Sequence, residues 1–345
     1  MLAGCGSNIY SAIVTTSSAK YRAYGDSITA GATLADPATQ AYPALVAQDE
    51  NLTLANNAIS GDQACDVPTR QIFANADSPS LVAPPKYSLL IGTNDVDRKG
   101  TGDYEAIYIL CHQAAIAWLA LPVEYKVLAN STGVTTTGSG AIDTTNHWNA
   151  WTTGALGSSI SFTITTSSIG PIYAWPRIDD TNPGTYTYSL DGVVLGTGNT
   201  QTTPRIATGN GTTNSLGLLR LPAVAIGKHV VTFTQTSAGS NGMSIVGIGA
   251  PRKVETSTLP TVLVGTIPFQ LHGPHGDACS LSDAPCLKYI QDIQADVDLF
   301  SGDGLDVRLF DTRQYMFGTS SEMNDPLHPN AKGQIELSHA VEAVF

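Results

Sequence analysis

A segment rich in Ser and Thr, residues 123–257, divides this sequence into two flanking parts of different character. It contains 38 Ser or Thr, many Gly, and short runs of alternating polar and apolar residues that are separated by turns. Runs such as 159–165, 185–190 and 229–235 are typical of antiparallel strands, and helical spacing of apolar residues is absent. The segment is therefore predicted to be an antiparallel β-sandwich inserted into a second domain.

The two flanking parts, 21–122 and 258–345, alternate between strand-like and helix-like patterns. The β-prone apolar runs lie at 21–25, 52–59, 87–91 and 261–267. Apolar residues at helical spacing lie between Ser27 and Leu45, at 104–121, near 287–300 and at 331–343. Such alternation is the signature of a parallel sheet covered by helices, so we expect one α/β domain that the insertion interrupts.

Composition excludes several classes of protein. Hydrophobic residues make up 42% of the chain and charged residues 13%, which favours a globular fold over disorder or a coiled coil. The net charge is −12 and the sequence has no cluster of Lys and Arg, so a nucleic-acid surface is not expected. The insertion carries seven basic and six acidic residues, so the acidity belongs to the α/β part. No apolar run in the sequence is long enough to span a membrane.

The first residues, Met1-Leu2-Ala3-Gly4-Cys5, resemble the end of a bacterial lipoprotein signal, in which the Cys receives the lipid. The basic and apolar segments of such a signal do not precede them, so a lipid on Cys5 and a chance match both stay open. Residues 1–20 are expected to form an N-terminal tether, because 6–19 are rich in Ser, Thr and Ala. Membrane attachment is expected only through such a lipid.

Four further cysteines predict two disulfides. Cys279 and Cys286 flank a short loop, a spacing that suits a disulfide in an oxidising compartment, and Cys65 and Cys111 would then form the second pair. Four buried thiols in a cytosolic protein are the alternative. Disulfides would place the protein outside the cytosol, so we expect a secreted, periplasmic or cell-surface location.

Polar residues that can carry out nucleophilic catalysis follow the predicted strands. Ser27 follows the first strand, Gly61 the second and Asn94 the third, while Asp325 and His328 lie near the C-terminus. Taken singly, Ser27 is most simply a helix cap, and Gly61 and Asn94 are turn residues. Ligands of a parallel sheet bind at the carboxyl ends of the strands, so these residues are expected to converge on one crevice.

Each of these residue types has a role in ester hydrolysis. A serine hydroxyl is a weak nucleophile and needs a base within hydrogen-bond reach, which His328 would supply to Ser27. Asp325, three residues before His328, would hold the other ring nitrogen and stabilise the imidazolium. The unobstructed amide of Gly61 and the side-chain amide of Asn94 would donate hydrogen bonds to the oxygen on which charge develops.

The four motifs together resemble those of the SGNH or GDSL hydrolase superfamily. They read Gly-Asp-Ser-Ile-Thr at 25–29, Ser-Gly-Asp at 60–62, Gly-Thr-Asn-Asp at 92–95 and Asp-Pro-Leu-His-Pro-Asn at 325–330. The resemblance covers both flanking parts and implies a flavodoxin-like, three-layer α/β/α fold. It also implies Ser27 as nucleophile, His328 as base, and an oxyanion hole made by the Ser27 and Gly61 backbone amides with the Asn94 side chain. We expect Asp95 to brace the loop that carries Asn94 through hydrogen bonds.

His272, His275 and Asp277 are the residues that could indicate a metal site, since imidazoles and a carboxylate lie close together in sequence. A loop is the preferred interpretation, because no paired Cys motif or His-Glu-x-x-His accompanies them and the serine mechanism needs no metal. We therefore expect neither a metal nor a cofactor. The Gly-x-Ser-x-Gly motif of the α/β-hydrolase fold does not occur, so that fold is disfavoured.

The insertion concentrates six aromatic residues, which are Trp148, Trp151, Tyr173, Trp175, Tyr186 and Tyr188. Sugar rings stack on exposed aromatic side chains, and the insertion resembles a carbohydrate-binding β-sandwich. Trp148, with its neighbours Asn146 and His147, and Trp175 are the candidates for sugar contact. The simpler alternative is that these rings belong to the core of the sandwich.

Three hypotheses for function follow. The first is a serine esterase that removes acetyl or other short acyl groups from a small-molecule or glycan ester. The second is lipase, thioesterase or arylesterase activity at the same site. The third is a surface glycan-binding protein whose hydrolase domain is only a scaffold, an interpretation that the complete Ser, His, Asp, Gly and Asn set disfavours.

Overall fold

The computed structural model describes residues 20–82, 84–99, 101, 103–144, 148–179, 184–199, 213–237, 242–252, 259–270, 279 and 284–345. None of the helices in these ranges combines the length and the hydrophobicity that a bilayer crossing requires. The predictions for Cys5, for Asn146 and His147, and for His272, His275 and Asp277 fall outside the described residues.

The chain forms seventeen described strands and seven described α-helices. The strands are β1 (Tyr21–Gly25), β2 (Leu54–Asn56), β3 (Lys86–Leu90), β4 (Lys126–Leu128), β5 (Val134–Thr137), β6 (Ala141–Asp143), β7 (Ala150–Thr153), β8 (Ser159–Thr166), β9 (Tyr173–Asp179), β10 (Thr185–Leu190), β11 (Val193–Asn199), β12 (Asn214–Leu216), β13 (Leu219–Arg220), β14 (Gly227–Gln235), β15 (Met243–Gly249), β16 (Thr261–Gly265) and β17 (Val307–Phe310). The helices are α1 (Ser27–Ala30), α2 (Pro37–Gln40), α3 (Tyr42–Asp49), α4 (Thr93–Lys99), α5 (Asp103–Ala120), α6 (Ala284–Gly302) and α7 (Ala331–Glu342). A π-helical segment covers Val67–Phe73, and single 3₁₀ turns cover Val123–Tyr125 and Thr312–Gln314.

Five strands from the two flanking parts form one parallel sheet. Its order is β2-β1-β3-β16-β17, and every neighbouring pair is parallel. Numbered among these five strands alone, this is the order 2-1-3-4-5 of a doubly wound sheet, in which the strand order reverses between β1 and β3. The predicted parallel sheet is confirmed, with strands from both flanking parts, and its switch point is where a ligand crevice is expected.

Alternate residues of β16 enter two different apolar cores. Val262 and Val264 belong to a cluster with residues of α5 and α6. Leu263, between them, belongs to a cluster with residues of α3 and α7. Successive side chains of a strand point to opposite faces, and a parallel strand that is covered on both faces needs a continuous apolar run such as this one.

The insertion folds into two antiparallel sheets. One has the order β11-β10-β14-β8-β5, and the other has the order β12-β9-β15-β7-β6, with β13 against β9 and β4 against β15. Between them lies an apolar core in which the rings of Phe162 and Phe233 meet edge to face with centroids 6.2 Å apart. The three runs on which the sandwich was predicted are strands β8, β10 and β14, so the prediction of antiparallel sheets is confirmed.

The helical stretch predicted between Ser27 and Leu45 is divided into three short helices. Gly31 ends α1 in the left-handed conformation, with φ of 75°. Pro37 and Pro43 lie in the first turns of α2 and α3, where a residue without an N–H group costs nothing. The predicted strand at 52–59 is also shorter, since β2 covers three residues, Leu54–Asn56, at the edge of the sheet beside β1. Neither β17 nor the π-helical segment was predicted.

The insertion shares a core with the α/β domain. Strand β9 sends Tyr173 and Trp175 into the cluster around α5, while Ala174, between them, faces the interior of the sandwich. The indole of Trp175 packs edge-on against Trp118 with centroids 5.2 Å apart, and its Nε1 donates to Ala114 O at 3.2 Å. Helix α5 is apolar around its circumference because it lies between the parallel sheet and this second sheet.

This packing corrects the prediction that Trp148 and Trp175 contact a sugar. Trp175 is 0% exposed and Trp148 is 5% exposed, so neither ring face is accessible to a ligand. Of the six aromatic residues singled out in the insertion, Tyr188 alone is not buried. The sequence pattern could not distinguish a buried ring from an exposed one. Trp175 lies on the outer face of β9, and it is buried because α5 covers that face.

The two predicted disulfides are present. Cys65, just before the π-helical segment, is bonded to Cys111 of α5, and Cys279 is bonded to Cys286 of α6. The Cys65–Cys111 bridge lies within the shared core. There, Ser215 Oγ of the insertion also donates to Cys65 O at 2.7 Å.

Truncation of the interface tryptophan tests the shared core. We expect Trp175→Ala to lower the free energy of unfolding by about 3–5 kcal/mol, because it leaves a cavity between β9 and α5. The matched control is Phe317→Ala, which removes an aromatic ring that is 62% exposed and should cost less than about 0.5 kcal/mol. The measurement is urea unfolding of both variants, and equal costs would contradict the packing described here.

Candidate active site

Ser27 is the first residue of α1 and directly follows the turn at the end of β1. Asp26 caps the helix, since its Oδ1 accepts a hydrogen bond of 2.9 Å from Ile28 N. A Cβ on Gly25 would lie 2.3 Å from Thr29 Oγ1 and 2.4 Å from Leu90 O, so only glycine fits where β1 turns into α1. The turn therefore presents Ser27 at the carboxyl end of the sheet, beside the β1–β3 switch point.

His328 lies within hydrogen-bond distance of both of its predicted partners. Its Nε2 is 3.0 Å from Ser27 Oγ, and its Nδ1 is 2.8 Å from Asp325 Oδ2. The other carboxylate oxygen, Asp325 Oδ1, accepts from the backbone amides of Leu327 at 2.8 Å and His328 at 2.7 Å. The carboxylate is thereby fixed in one orientation, and it in turn fixes the plane of the imidazole.

Opposing effects act on the pKa of Asp325. Burial alone would raise it, but the hydrogen bonds from the His328 side chain and from the His328 and Leu327 amides outweigh burial and hold the pKa below its usual value. Asp325 is therefore a carboxylate throughout the neutral pH range. Its negative charge beside Nδ1 favours a proton on that nitrogen and leaves Nε2 as the acceptor that faces the serine hydroxyl.

Hydrogen bonds connect the loop that contains Gly61 to α4, the helix that carries Asn94. Gly61 has φ of 84°, a conformation that favours glycine. Asn94 Nδ2 donates to Asp62 O at 2.9 Å, and Arg98 Nη1 donates to Gly61 O at 2.9 Å. Asp95 braces the same loops as expected, since its carboxylate accepts from Ala64 N at 3.1 and 3.3 Å.

Asn94 differs from its prediction in one respect, because it lies in the first turn of α4 and not in a loop. The helix begins at Thr93, immediately after Gly92. A Cβ on Gly92 would lie 2.9 Å from Ile267 Cδ1, so the chain leaves β3 close to the segment that follows β16.

A clamp around Gln71 connects these loops to the nucleophile turn, and sequence reasoning missed it. Gln71 Oε1 accepts from Gly25 N at 3.0 Å, and its Nε2 donates to Gly25 O at 2.7 Å and to Asp62 Oδ2 at 2.9 Å. Asp62 is also ion-paired with Arg70. Gln71 lies on the π-helical segment, which has no recognisable sequence motif. The one member of this network that belongs to a motif is Asp62, in the Ser-Gly-Asp block.

A second clamp, also missed, connects the helix after His328 to the helix of Ser27. Gln334 of α7 is buried, its Nε2 donates to Ile28 O at 3.0 Å, and its Oε1 accepts from Tyr42 N at 2.8 Å. On the other side, Asn324 Nδ2 donates to Thr33 Oγ1 at 3.1 Å. The segment that carries His328 is thereby held against α1 at both of its ends.

Two buried carboxyl groups lie beneath the site. Burial is the main cause that raises the pKa of Asp26 to about 7; the negative charges of Asp62 and Asp97 act in the same direction, and the hydrogen bond from Ile28 N opposes them. Burial likewise raises the pKa of Asp95 to about 8, opposed by the bond from Ala64 N. Asp26 Oδ2 has no hydrogen-bond partner among the described residues, which accounts for the large effect of burial on that group.

Within the described ranges, no group of three or more His, Cys, Asp or Glu side chains is arranged to hold a metal ion. The residues described around Ser27 make an acid–base chain and a set of amide donors. That arrangement can activate a hydroxyl and stabilise an oxyanion.

Comparison with known proteins gives similar structures but no sequence match. No family model matches the chain, and no curated protein matches it either. A member of the lipolytic protein G-D-S-L family from Veillonella parvula DSM 2008 is 10% identical, with a TM-score of 0.41 over 94% of this chain and 97% of that chain. A two-domain esterase active on acetylated mannans is 14% identical, with a TM-score of 0.38 over 68% of this chain and 91% of that one.

A third similar structure is shorter than this chain. A family 35 carbohydrate-binding module from an environmental isolate is 18% identical, with a TM-score of 0.29 over 39% of this chain and 96% of that chain. The solved structures similar to this chain therefore include both kinds of domain that the sequence resembles. At these identities and TM-scores the similarities do not by themselves establish a family or an activity.

The buried acid beneath the nucleophile predicts a pH dependence of stability. The folded chain holds the Asp26 proton up to about pH 7, whereas the unfolded chain releases it near pH 4. Between these values the folded state binds more protons, so the free energy of unfolding falls as pH rises. We expect Asp26→Asn, which keeps a capping side chain, to remove at least about 1 kcal/mol of that fall between about pH 5 and pH 8. Urea unfolding at both pH values measures it, and an unchanged fall in the variant would contradict the buried, protonated state.

Proposed function

We propose that this protein is a serine esterase that hydrolyses carboxylic esters through an acyl-enzyme on Ser27. The observation that carries the proposal is the continuous chain of contacts from Ser27 Oγ through the His328 ring to Asp325, with separations of 3.0 and 2.8 Å. The proposal includes the division into an SGNH-type domain of three layers, 21–122 and 258–345, and an inserted sandwich, 123–257. The sheet order supports the first part and the two antiparallel sheets support the second.

In the first half of the reaction, Ser27 Oγ attacks the carbonyl carbon of the ester while His328 Nε2 takes the hydroxyl proton. The imidazolium that forms is stabilised by the Asp325 carboxylate on Nδ1. The tetrahedral intermediate then collapses as its C–O bond to the alcohol breaks, and His328 returns the proton to the departing alkoxide. The products of this half are the free alcohol and an acyl ester on Ser27.

The second half repeats these steps with water as nucleophile. His328 takes a proton from water as its oxygen attacks the acyl carbon, the bond to Ser27 Oγ breaks, and the proton passes to the serine. The acid is released and the hydroxyl is regenerated. In both halves, the amides of Ser27 and Gly61 and the Asn94 side chain donate to the oxyanion, and these donors stabilise the transition state more than the ground state.

The fixed positions of the donors favour this assignment. The carbonyl oxygen Asp62 O occupies one N–H of the Asn94 amide, at 2.9 Å, which leaves the second N–H to donate elsewhere. The Gln71 clamp holds both backbone groups of Gly25 and one oxygen of Asp62. Donors held in this way need little reorganisation when charge develops, which is the condition for effective electrostatic stabilisation.

For the substrate, we propose a short acyl group such as acetyl, attached to a carbohydrate, with lipid, thiol and aryl esters as the alternatives at the same site. The two disulfides support action outside the cytosol, where carbohydrate polymers are exposed. Burial of Trp148 and Trp175 removes the two residues first considered for sugar contact, and the half-buried Tyr188 is the candidate that is left.

Removal of the nucleophile is the first test. Ser27→Ala should abolish hydrolysis of p-nitrophenyl acetate, because no other hydroxyl lies in contact with His328 in the described part of the chain. Ser301→Ala, which alters an exposed serine at the end of α6, is the matched control and should keep full activity. Release of p-nitrophenolate measures both, and a Ser27→Ala variant as active as the control would refute the proposal.

Removal of one oxyanion donor should have a smaller effect. We expect Asn94→Ala to lower kcat by about 10²- to 10³-fold with little change in KM, because the lost donor acts mainly on the transition state. Steady-state kinetics with p-nitrophenyl acetate gives both constants. A loss confined to KM would instead assign Asn94 to ground-state binding.

An acyl-length series separates the proposed substrate classes. With the whole chain, kcat/KM on p-nitrophenyl esters should fall as the acyl chain lengthens beyond about four carbons, since the proposed pocket takes short acyl groups. Acetate release from acetylated xylan, chitin fragments and acetylated lipids is measured beside it. Faster cleavage of long-chain esters, with no release from any polysaccharide, would favour the lipase alternative.

A further inference from the structure

Arg98 places a positive charge at the rim of the candidate site. It belongs to α4, the helix that carries Asn94, and its side chain is exposed. From there the guanidinium reaches the neighbouring loop, where Nη1 donates to Gly61 O at 2.9 Å. The charge therefore lies against the same residue whose amide is proposed to hold the oxyanion.

Five of the eight described arginines lie against an aspartate, and Arg98 is not one of them. Those that lie against an aspartate are Arg22, Arg70, Arg177, Arg220 and Arg308. Arg98 has no carboxylate partner among the residues the structure describes, although acidic residues outnumber basic ones by 29 to 17 in the chain. A guanidinium has five N–H donors, and one of them is engaged by Gly61 O.

The geometry points to a site for an anionic substrate: Arg98 binds a carboxylate carried by the ester near its scissile bond. A planar guanidinium matches a carboxylate with two parallel hydrogen bonds, and its position beside Gly61 brings that pair next to the reacting carbonyl. The inference rests on the proposed esterase function and names the substrate class of that site, an ester bearing a free carboxylate.

The charges around Arg98 are compatible with an anionic ligand. Asp62, on the Gly61 loop, is already paired with Arg70. Asp325 is paired with His328 on the opposite side of Ser27. Asp95 is buried, and its pKa of about 8 keeps it protonated at neutral pH. Asp97, which precedes Arg98 and also acts on Asp26, is buried, whereas the guanidinium is exposed and can meet an approaching carboxylate.

The carboxylate can lie on either side of the ester, and two pairs of matched substrates distinguish the sides. On the acyl side, p-nitrophenyl hemisuccinate is compared with p-nitrophenyl levulinate, in which a neutral methyl ketone replaces the carboxylate. On the alcohol side, meta-acetoxybenzoate is compared with meta-acetoxybenzamide. The quantity measured is the ratio of kcat/KM for the anionic ester to kcat/KM for its neutral partner.

The variants separate charge from structure. Arg98→Gln keeps a side-chain donor for Gly61 O and removes the charge, whereas Arg98→Lys keeps the charge. In at least one pair, the wild-type ratio should exceed that of Arg98→Gln by roughly three- to tenfold, the range for a charge-assisted contact at a partly exposed site. Arg98→Lys should restore part of the ratio, and about 0.5 M NaCl should reduce it in the wild type.

The outcomes distinguish a failure of carboxylate binding by Arg98 from a failure of the proposed esterase function. If the wild-type and Arg98→Gln ratios are equal in both pairs while neutral esters are still cleaved, the charge inference is wrong and the esterase function stands. If the wild type cleaves neither member of either pair, or Ser27→Ala cleaves them equally well, the esterase function itself is wrong. A loss of kcat/KM that is equal for the anionic ester and its neutral partner, in Arg98→Gln and Arg98→Lys alike, would assign Arg98 to the support of Gly61 and overturn carboxylate binding.

Discussion

The hydrogen bond between Ser27 Oγ and His328 Nε2 joins residues 301 positions apart, and much of the fold can be understood from what that contact requires. The serine follows β1, an interior strand, and the histidine follows β17, an edge strand, so the sheet alone does not bring them together. The C-terminal segment must cross back over the carboxyl edge of the sheet. Gln334 and Asn324 hold it there, against α1 and the loop that follows it.

The insertion interrupts this arrangement without disturbing it, because its two ends lie side by side. Strand β4, where the chain enters the insertion, pairs with β15, where the chain leaves it, in the register Lys126 to Gly249. Ala250 N also donates to Tyr125 O at 3.2 Å. Strands β3 and β16 can therefore pair as neighbours although the insertion lies between them in sequence. Closely spaced ends of this kind are the condition under which domain insertion is tolerated.

Contacts at the other face of the insertion make the two domains interdependent. Arg220 binds the Asp303 carboxylate at the end of α6 through two nitrogens, at 2.6 and 2.8 Å, and Tyr173 OH donates to the same carboxylate. Behind them lies the apolar contact between β9 and α5. Helix α5 shares its apolar cluster with residues of β3 and β16 as well, so one helix contacts both the insertion and strands that position the site.

Much of this could be predicted from sequence because the relevant signals are local. Period-two runs identify β8 and β14, the apolar run Val262–Val264 identifies a strand buried on both faces, and the motifs at 25–29, 60–62 and 92–95 follow strands of the parallel sheet. What could not be predicted depends on contacts distant in sequence. The burial of Trp175 requires knowledge that α5 covers the outer face of β9, and the continuous apolar run Ala114–Leu121 is its one sequence signal. The roles of Gln71, Gln334 and Arg98 follow from partners that no spacing rule connects.

The central claim is that Ser27 is the residue made nucleophilic by its contact with His328. Its most direct test is covalent labelling with phenylmethanesulfonyl fluoride, followed by mass spectrometry of the intact chain and of its peptides. The account predicts one sulfonyl adduct per chain, on Ser27, formed slowly or not at all when His328 is replaced by alanine. An adduct on a different serine, or labelling of Ser27 at the same rate without the histidine, would contradict it.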